Sequence, residues 1–465
     1  MTNKRSSCTM ILVGKEATLD GSTMIAREED SSNGANPKRF VVIEPKHQPK
    51  EYHSTFTNFS LNLPAKKDTL RYTATPDAHV GGGIFGESGI NELNVAMTAT
   101  ETTTANARIL GIDPLVKDGI GEEDMLTVVL PYIKSAKEGV LRLGKLIEQY
   151  GTCEINGVAF SDSDEVWYLE TYGGHQWASV KIPDDAYVVL PNRSNITDFD
   201  FEASDTLASP GLKELIDKYQ LNPQTSGYNL RQILGTSTQN DTRYNNPRAW
   251  YGQKYLTKDA QGLPTDQDLP FICHADRKIS VEDLKFLLSS HYQNTPYDPY
   301  GKGDEALKKA FRPMALDRNQ EGHILQIRNQ VPDALKGVHW LFVGPNTFSC
   351  AVPFYANIND TPKTYRDVSD DFDLQTQFWL TRALAVLGDR DYAAYSALAE
   401  QTERDILAFC RHIQLKTDLK VSQRKLARKY LTDANKKMAD YAFEQTNILF
   451  GKLVAKAAEK MTLKF

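Results

Sequence analysis

The fold turns on the stretch Cys8-Thr9-Met10-Ile11-Leu12-Val13, a break at Asp20-Gly21-Ser22, and the return run Thr23-Met24-Ile25-Ala26, followed by Arg27-Glu28-Glu29-Asp30. Asp-Gly flanked by two apolar runs is a hairpin signal. The spacing predicts paired strands over 9–13 and 23–26, with Cys8 and Arg27 at neighbouring ends of the ribbon and Asp30 just beyond. On its own Cys8 reads as a small hydrophobe at the start of a strand. If the polar leader Met1–Ser7 is removed, however, it carries a thiol and a free α-amine, a nucleophile and a base on one residue. An arginine near that thiol favours the thiolate, and a carboxylate near the amine orients it. Taken alone, Arg27 and Asp30 also fit an ordinary surface ion pair.

Working outward, 465 residues suffice for one large core or two to three domains, and 40% hydrophobic with 25% charged residues is a globular composition. A net charge of −6 gives no general attraction to phosphate backbones or anionic lipid, so neither nucleic acid nor membrane is expected as a partner. The five cysteines, Cys8, Cys153, Cys273, Cys350 and Cys410, are odd in number and lack a Cys-x-x-Cys pair. That argues against a disulfide framework or a zinc knuckle and for a reducing cytoplasm. The leader has no apolar stretch to act as an export signal, and no window is long and apolar enough to span a bilayer.

Further strands are expected at Gly81–Gly86 and Asn91–Thr98. Helices follow, one starting at Glu122-Glu123-Asp124 with Pro131 as a possible kink, the next using Val140, Leu143 and Ile147. Strands return over 154–190, and three more are expected at 323–328, 338–343 and 349–355. From Asp373 onward the chain reads as a helical appendage. Strands, helices and strands again indicate an α+β layered fold with two sheets rather than βαβ units.

The order Cys8, apolar strand, Asp-Gly turn, second strand, Arg27-x-x-Asp30 resembles the start of the N-terminal nucleophile hydrolases. Within them it is most similar to the cysteine dipeptidases of the lactobacillus PepD type and the related secernins. Bile salt hydrolases and penicillin V acylases resemble it more distantly. The likeness to the dipeptidases extends over most of the chain, through Gly89–Met97, Trp167–Glu170, His175–Trp177, Leu190–Asn192, Asn246–Trp250, Gly322–Arg328 and Val352–Tyr355. It implies a four-layer αββα sandwich of two antiparallel sheets, with a leader over 1–7, a catalytic domain over 8–370 and a C-terminal helical region over 371–465.

The resemblance further implies that Cys8 is the nucleophile, exposed by cleavage after Ser7, that Arg27 and Asp30 flank thiol and amine, and that Asn192 helps hold the oxyanion. Arg248 is similar to the later supporting arginine, with Arg243 as the alternative. Where the acylases have an asparagine giving a backbone N–H to the oxyanion, this chain reads Thr98-Ala99-Thr100-Glu101, so Ala99 or Thr100 is expected there. The implied activity is hydrolysis of dipeptides by a zymogen-derived, cytoplasmic thiol protease, expected as a homo-oligomer. Glu170 and Asp30 are candidates for recognising the substrate's amino end, and loops between Leu212 and Asp276 for closing the pocket. An acylase-type amidase and a non-catalytic binding relative stay open as alternatives.

No cofactor or metal is expected. His79, His274 and His323 lack zinc spacing and read as structural or surface residues. Gly81–Gly86 lacks the Lys-Ser/Thr of a phosphate loop, and Tyr297–Asp304 reads as an exposed loop rather than a Ca²⁺ site.

Overall fold

The computed structural model describes residues 8–31, 34–79, 86–100, 103–421 and 427–463. Twelve strands of the described chain form its two large sheets. In chain order they are β1 (Thr9–Val13), β2 (Thr23–Asp30), β3 (Ser88–Ile90), β4 (Ala96–Thr100), β5 (Gly157–Ser161), β6 (Val166–Thr171), β7 (Trp177–Ile182), β8 (Tyr187–Leu190), β9 (Thr206–Ala208), β10 (Asn319–Ile327), β11 (Gly337–Val343) and β12 (Val352–Tyr355). Sheet I has the order β8-β1-β2-β10-β11-β12 and sheet II the order β9-β7-β6-β5-β4-β3, with antiparallel neighbours throughout.

The helices that cover these sheets are α1 (Glu122–Val129), α2 (Ala136–Tyr150), α3 (Asn246–Leu256), α4 (Val281–Leu288), α5 (Gln377–Arg390), α6 (Tyr392–Val421) and α7 (Ala427–Glu459). Period-two alternation sorts side chains into three apolar layers. Met10, Leu12, Ile25 and Leu325 of sheet I meet Ala159, Tyr168 and Ala178 of sheet II in the middle. Ile11, Val13, Ala26 and Ile324 point the other way, onto Ala249, Leu284, Phe378, Ile406 and Met438 of the helices. The outer face of sheet II, with Met97, Val158, Phe160 and Leu169, packs on Leu126, Val140, Leu143 and Ile147. The result is an α+β sandwich with αββα layers.

Several local expectations change. The second strand runs on to Asp30 because Arg27, Glu28 and Glu29 are register partners of β10, so a charged segment becomes the centre of a sheet. The turn before it holds, with Gly21 at φ 73°, a conformation glycine adopts without strain. Asn91 opens no strand: its side-chain oxygen accepts from Leu93 N and Val95 N, closing a turn before β4. Pro131 ends α1 rather than kinking it, with a 3₁₀ turn over Leu130–Tyr132. Of the Gly81–Gly86 run only Gly86 lies among the described residues.

The C-terminal helices share the core of sheet I. They also finish its edge. Asn435 on α7 accepts from Tyr355 N at 2.9 Å and donates to Tyr355 O at 3.0 Å, so one side-chain amide occupies the position of a further strand.

Candidate active site

Register fixes the geometry around Cys8. Met10 lies opposite both Leu190 of β8 and Arg27 of β2, so continuing the β1–β8 pairing by two residues sets Asn192 beside Cys8. Alternation then separates the neighbours of the cysteine. Arg27, in step with Ile25, enters the space between the sheets, whereas Thr9, Glu28 and Asp30 face α3.

On the inner side Arg27 Nη2 donates to Cys8 Sγ at 3.0 Å and to Glu122 Oε1 at 2.9 Å, while Nη1 donates to Glu87 Oε2 at 2.7 Å. Burial raises the Cys8 thiol well above its ordinary range, Arg27 pulls it down, and Glu122 adds to the rise. Burial likewise opposes the guanidinium charge, but Cys8, Glu87 and Glu122 together outweigh it and keep Arg27 cationic. The network continues through Lys38, which pairs with Glu87 at 3.5 Å, with Glu29 at 2.8 Å and with Asp77.

On the outer side Arg248 Nη1 donates to the Cys8 carbonyl at 2.6 Å and to Thr9 Oγ1 at 2.8 Å. Its Nη2 reaches Asn192 Oδ1 at 2.9 Å and Asn245 Oδ1 at 2.7 Å. Asn245 in turn donates to the Asn192 carbonyl at 3.0 Å. With its oxygen turned to Arg248, the Asn192 amide carries its NH₂ on the other branch. A π-helical turn over Asp241–Asn245 delivers both Asn245 and Arg248 to this spot, a helical irregularity that recurs at functional sites. Burial and repulsion from Arg312 lower Arg248 to about 10.

Asp30 is held by Arg312 Nη2 at 2.5 Å and Arg318 Nη2 at 3.4 Å. Glu28 accepts from Thr9 Oγ1 at 2.9 Å and Asn319 Nδ2 at 2.6 Å. Tyr244 separates the two supporting arginines, its ring 5.3 Å from the guanidinium carbon of each of Arg248 and Arg312.

The structure therefore brings Cys8, Arg27, Asn192 and Arg248 into one bonded cluster, with Asp30 on the outer face of the same strand. Arg243 does not take Arg248's place: it is exposed and donates to Ala310 O at 3.3 Å. Ala99 N–H is directed at Glu87 O at 3.5 Å, and Glu101 lies outside the described residues. Glu170 is no amine receptor. It is buried, and its carboxylate accepts from Tyr168 OH, Tyr172 OH, Asn195 N and Ile196 N, which braces the loop carrying Asn192.

Sequence reasoning passed over Glu87, Glu122, Glu28, Arg312 and Asn319. Glu122 was visible only as acidic charge at a helix start; Arg312 and Asn319 are some 290 residues from β2 in the chain and had no local signal.

Among the described residues no group of three or more His, Cys, Asp or Glu is arranged to hold a metal ion. His323 is buried between Glu321 and Thr98, at 2.8 and 2.9 Å. His79 and His274 are exposed, against Asp370 and Asp185. In the Tyr297–Asp304 loop Asp298 is engaged by His291 and by Tyr300 N. No helix among the described residues is long and apolar enough to cross a membrane.

Comparison with known proteins gives the family. The model of peptidase family C69 matches residues 7–405, beginning one residue ahead of Cys8. The chain belongs to peptidase family C69. It is 51% identical to probable dipeptidase B of Lactococcus lactis subsp. lactis over 99% of this chain and 98% of that protein. It is 50% identical to dipeptidase A of Lactobacillus helveticus, covering 99% of each, and 42% identical to a dipeptidase of Bifidobacterium longum, covering 95% and 88%.

Proposed function

We propose that this C69 chain is a cysteine dipeptidase that works through Cys8 as an N-terminal nucleophile. The observation that carries the reading is the convergence on one cysteine of a guanidinium at its sulfur, a second guanidinium at its carbonyl, and an amide in register beside it. The dipeptidase names of relatives at about half identity over nearly the whole chain supply the substrate class.

In the chain as translated the Cys8 nitrogen is an amide to Ser7 and is not basic. Cleavage of that bond turns it into an amine, which takes the thiol proton as the sulfur attacks the scissile carbonyl. Arg27 holds the thiolate against the cost of burial. The Asn192 NH₂, oriented through Arg248, donates to the oxyanion of the tetrahedral intermediate. The amine then protonates the leaving nitrogen, and water hydrolyses the thioester. Asp30, fixed by Arg312, orients the amine.

The enzyme is read as cytoplasmic and homo-oligomeric, with no membrane or nucleic-acid partner. A net charge of −6 supports the lack of a nucleic-acid or anionic-membrane partner, and an odd set of five cysteines supports a reducing compartment.

The deciding experiment pairs intact-mass analysis with hydrolysis of Ala-Ala by the wild type and by Cys8→Ala. Wild type is expected to begin at Cys8 and to cleave Ala-Ala, and the variant to lose activity by orders of magnitude. Turnover of penicillin V or a conjugated bile salt in preference to dipeptides would replace this reading with an acylase. A chain that keeps Ser7 and hydrolyses nothing would indicate a binding role.

A further inference from the structure

Asn192 and Arg193 leave the backbone from a single three-residue turn, closed by the bond from Arg193 N–H to Pro191 O at 2.7 Å. The first carries the amide assigned to the oxyanion. The second is buried, with 2% of its surface exposed, and its Nη1 donates to Asn246 Oδ1 and, at 3.4 Å, to Gln267 O. Asn246 follows Asn245, which donates to the Asn192 carbonyl, so neighbouring residues at the start of α3 anchor both side chains. The other two guanidinium nitrogens of Arg193 have no hydrogen-bond partner among the described residues. Nε is sealed from solvent. Nη2 is both unbonded and reachable.

Charge singles out the same group. Arg193, Arg231 and Arg248 are all buried, and none of the three forms an ion pair with a carboxylate of the described residues. Burial and repulsion from Arg231 and Arg248 outweigh the pull of Asp241 and Glu170 and lower Arg193 well below the ordinary guanidinium range. Those two acids are committed elsewhere. Asp241 accepts from Thr236, Thr238 and Asn245, and Glu170 from four donors of its own sheet and loop. Arg231 spends both Nη groups on the carbonyls of Asn195, Gln267 and Leu269. Arg248 spends both on Cys8, Thr9, Asn192 and Asn245. Of the three, Arg193 alone keeps an Nη group in hand. A buried guanidinium without a counter-charge is costly until an anion joins it.

A dipeptide carries one such anion in its backbone, the α-carboxylate. Its oxygens are four covalent bonds from the scissile carbon, and so within about 5 Å of it. With the oxyanion on the Asn192 amide, the carboxylate falls in the zone served by the next side chain of the same turn. A guanidinium N–H is a strong donor to a carboxylate.

We infer that Arg193 is the specificity residue that binds the C-terminal carboxylate of the substrate, with Nη2 as the donor. The inference rests on the dipeptidase reading above and identifies what limits it to dipeptides. In a tripeptide the same position holds a neutral peptide carbonyl, which leaves the guanidinium without its counter-charge. Arg193 thus selects chains that end one residue after the scissile bond.

The test compares Ala-Ala with Ala-Ala-NH₂, which has the same scissile bond and the same free amine and lacks only the carboxylate charge, using processed wild type, Arg193→Gln and Arg193→Lys. Wild type should favour Ala-Ala by about a hundredfold or more in kcat/KM. Arg193→Gln should cut that ratio by about tenfold or more, mainly through KM for Ala-Ala. Arg193→Lys keeps the charge without the fork and should cut it by a smaller factor. Because both substrates share the nucleophile and the oxyanion donor, general damage to Cys8 or Asn192 cancels in the ratio. A wild type indifferent to the carboxylate, or a ratio unchanged in folded Arg193→Gln, overturns the inference while leaving dipeptide hydrolysis intact. Where Arg193→Gln does not fold, Arg193→Lys decides in its place, and an unchanged ratio there overturns the inference equally. A wild type that cleaves neither compound removes the dipeptidase reading and this inference with it.

Discussion

Arg27 and Cys8 are joined by a 3.0 Å contact from Nη2 to Sγ, and the same guanidinium also bridges Glu87 and Glu122. Three acceptors around one planar fork is an arrangement that an ammonium group, a compact point charge, does not reproduce. Arg27→Lys is therefore expected to lower kcat/KM for Ala-Ala by about a hundredfold, since it weakens the charge holding the thiolate. Arg27→Leu should in addition destabilise the fold by about 3–5 kcal/mol, because two buried carboxylates, Glu87 and Glu122, each lose an ion-pair partner. Steady-state kinetics and urea unfolding separate the two effects. A Lys variant at wild-type activity would remove Arg27 from the mechanism.

Asn192 separates orientation from donation. Its oxygen accepts from Arg248 Nη2 at 2.9 Å. Asn192→Asp keeps that acceptor, while the NH₂ assigned to the oxyanion is gone. The variant should fold, retain KM within a few-fold, and lose about 10²–10³ in kcat, the usual cost of one oxyanion donor. A kcat near wild type would assign the oxyanion to other groups.

What the sequence showed of this site depended on how local each signal was. Cys8, Arg27 and Asp30 stand within one hairpin, so their association followed from the Asp-Gly turn and the apolar runs beside it. Continuing the strand to Asp30 places Arg27 and Asp30 on opposite faces, because residues three apart in a strand alternate sides. That was hidden by the charge of Glu28 and Glu29, which reads as exposed until their partners on distant segments are known. Arg248 and Arg243 were indistinguishable by motif, and the π-helical turn over Asp241–Asn245 decides between them by directing only Arg248 at Cys8. The C-terminal periodicity announced helices; their docking on sheet I depends on tertiary packing that no local pattern carries.

Glu28 makes stability depend on pH. Burial, reinforced by Asp30 and opposed by Arg312, raises its carboxyl from an ordinary value near 4.5 to about 8. A group raised on folding binds more protons in the native state than in the unfolded chain between those two values. Its contribution is complete below pH 4.5 and is lost as pH climbs through 8. Glu28→Gln removes the titration and keeps one oxygen, able to accept from either Thr9 or Asn319, which donate to different oxygens of the carboxylate. Its melting temperature should consequently fall less than that of wild type between pH 5 and 8. Parallel profiles would mean that Glu28 is ionised across the range.

Asn435 tests whether the C-terminal helices stabilise the sheet independently of chemistry at Cys8. Its amide makes both hydrogen bonds with the backbone of Tyr355 on the edge strand β12, and the residue is completely buried. Asn435→Ala leaves a buried N–H and a buried C=O without that partner, where water is too scarce to replace it. The expected loss is about 2–3 kcal/mol in urea unfolding. Turnover of Ala-Ala at a temperature where the variant remains folded should match wild type, because Tyr355 is three strands from β2 in sheet I. If kcat fell together with stability, β12 and α7 would have to be coupled to the site through β10 and β11, and the sheet would be transmitting strain rather than only supporting the hairpin that carries Cys8.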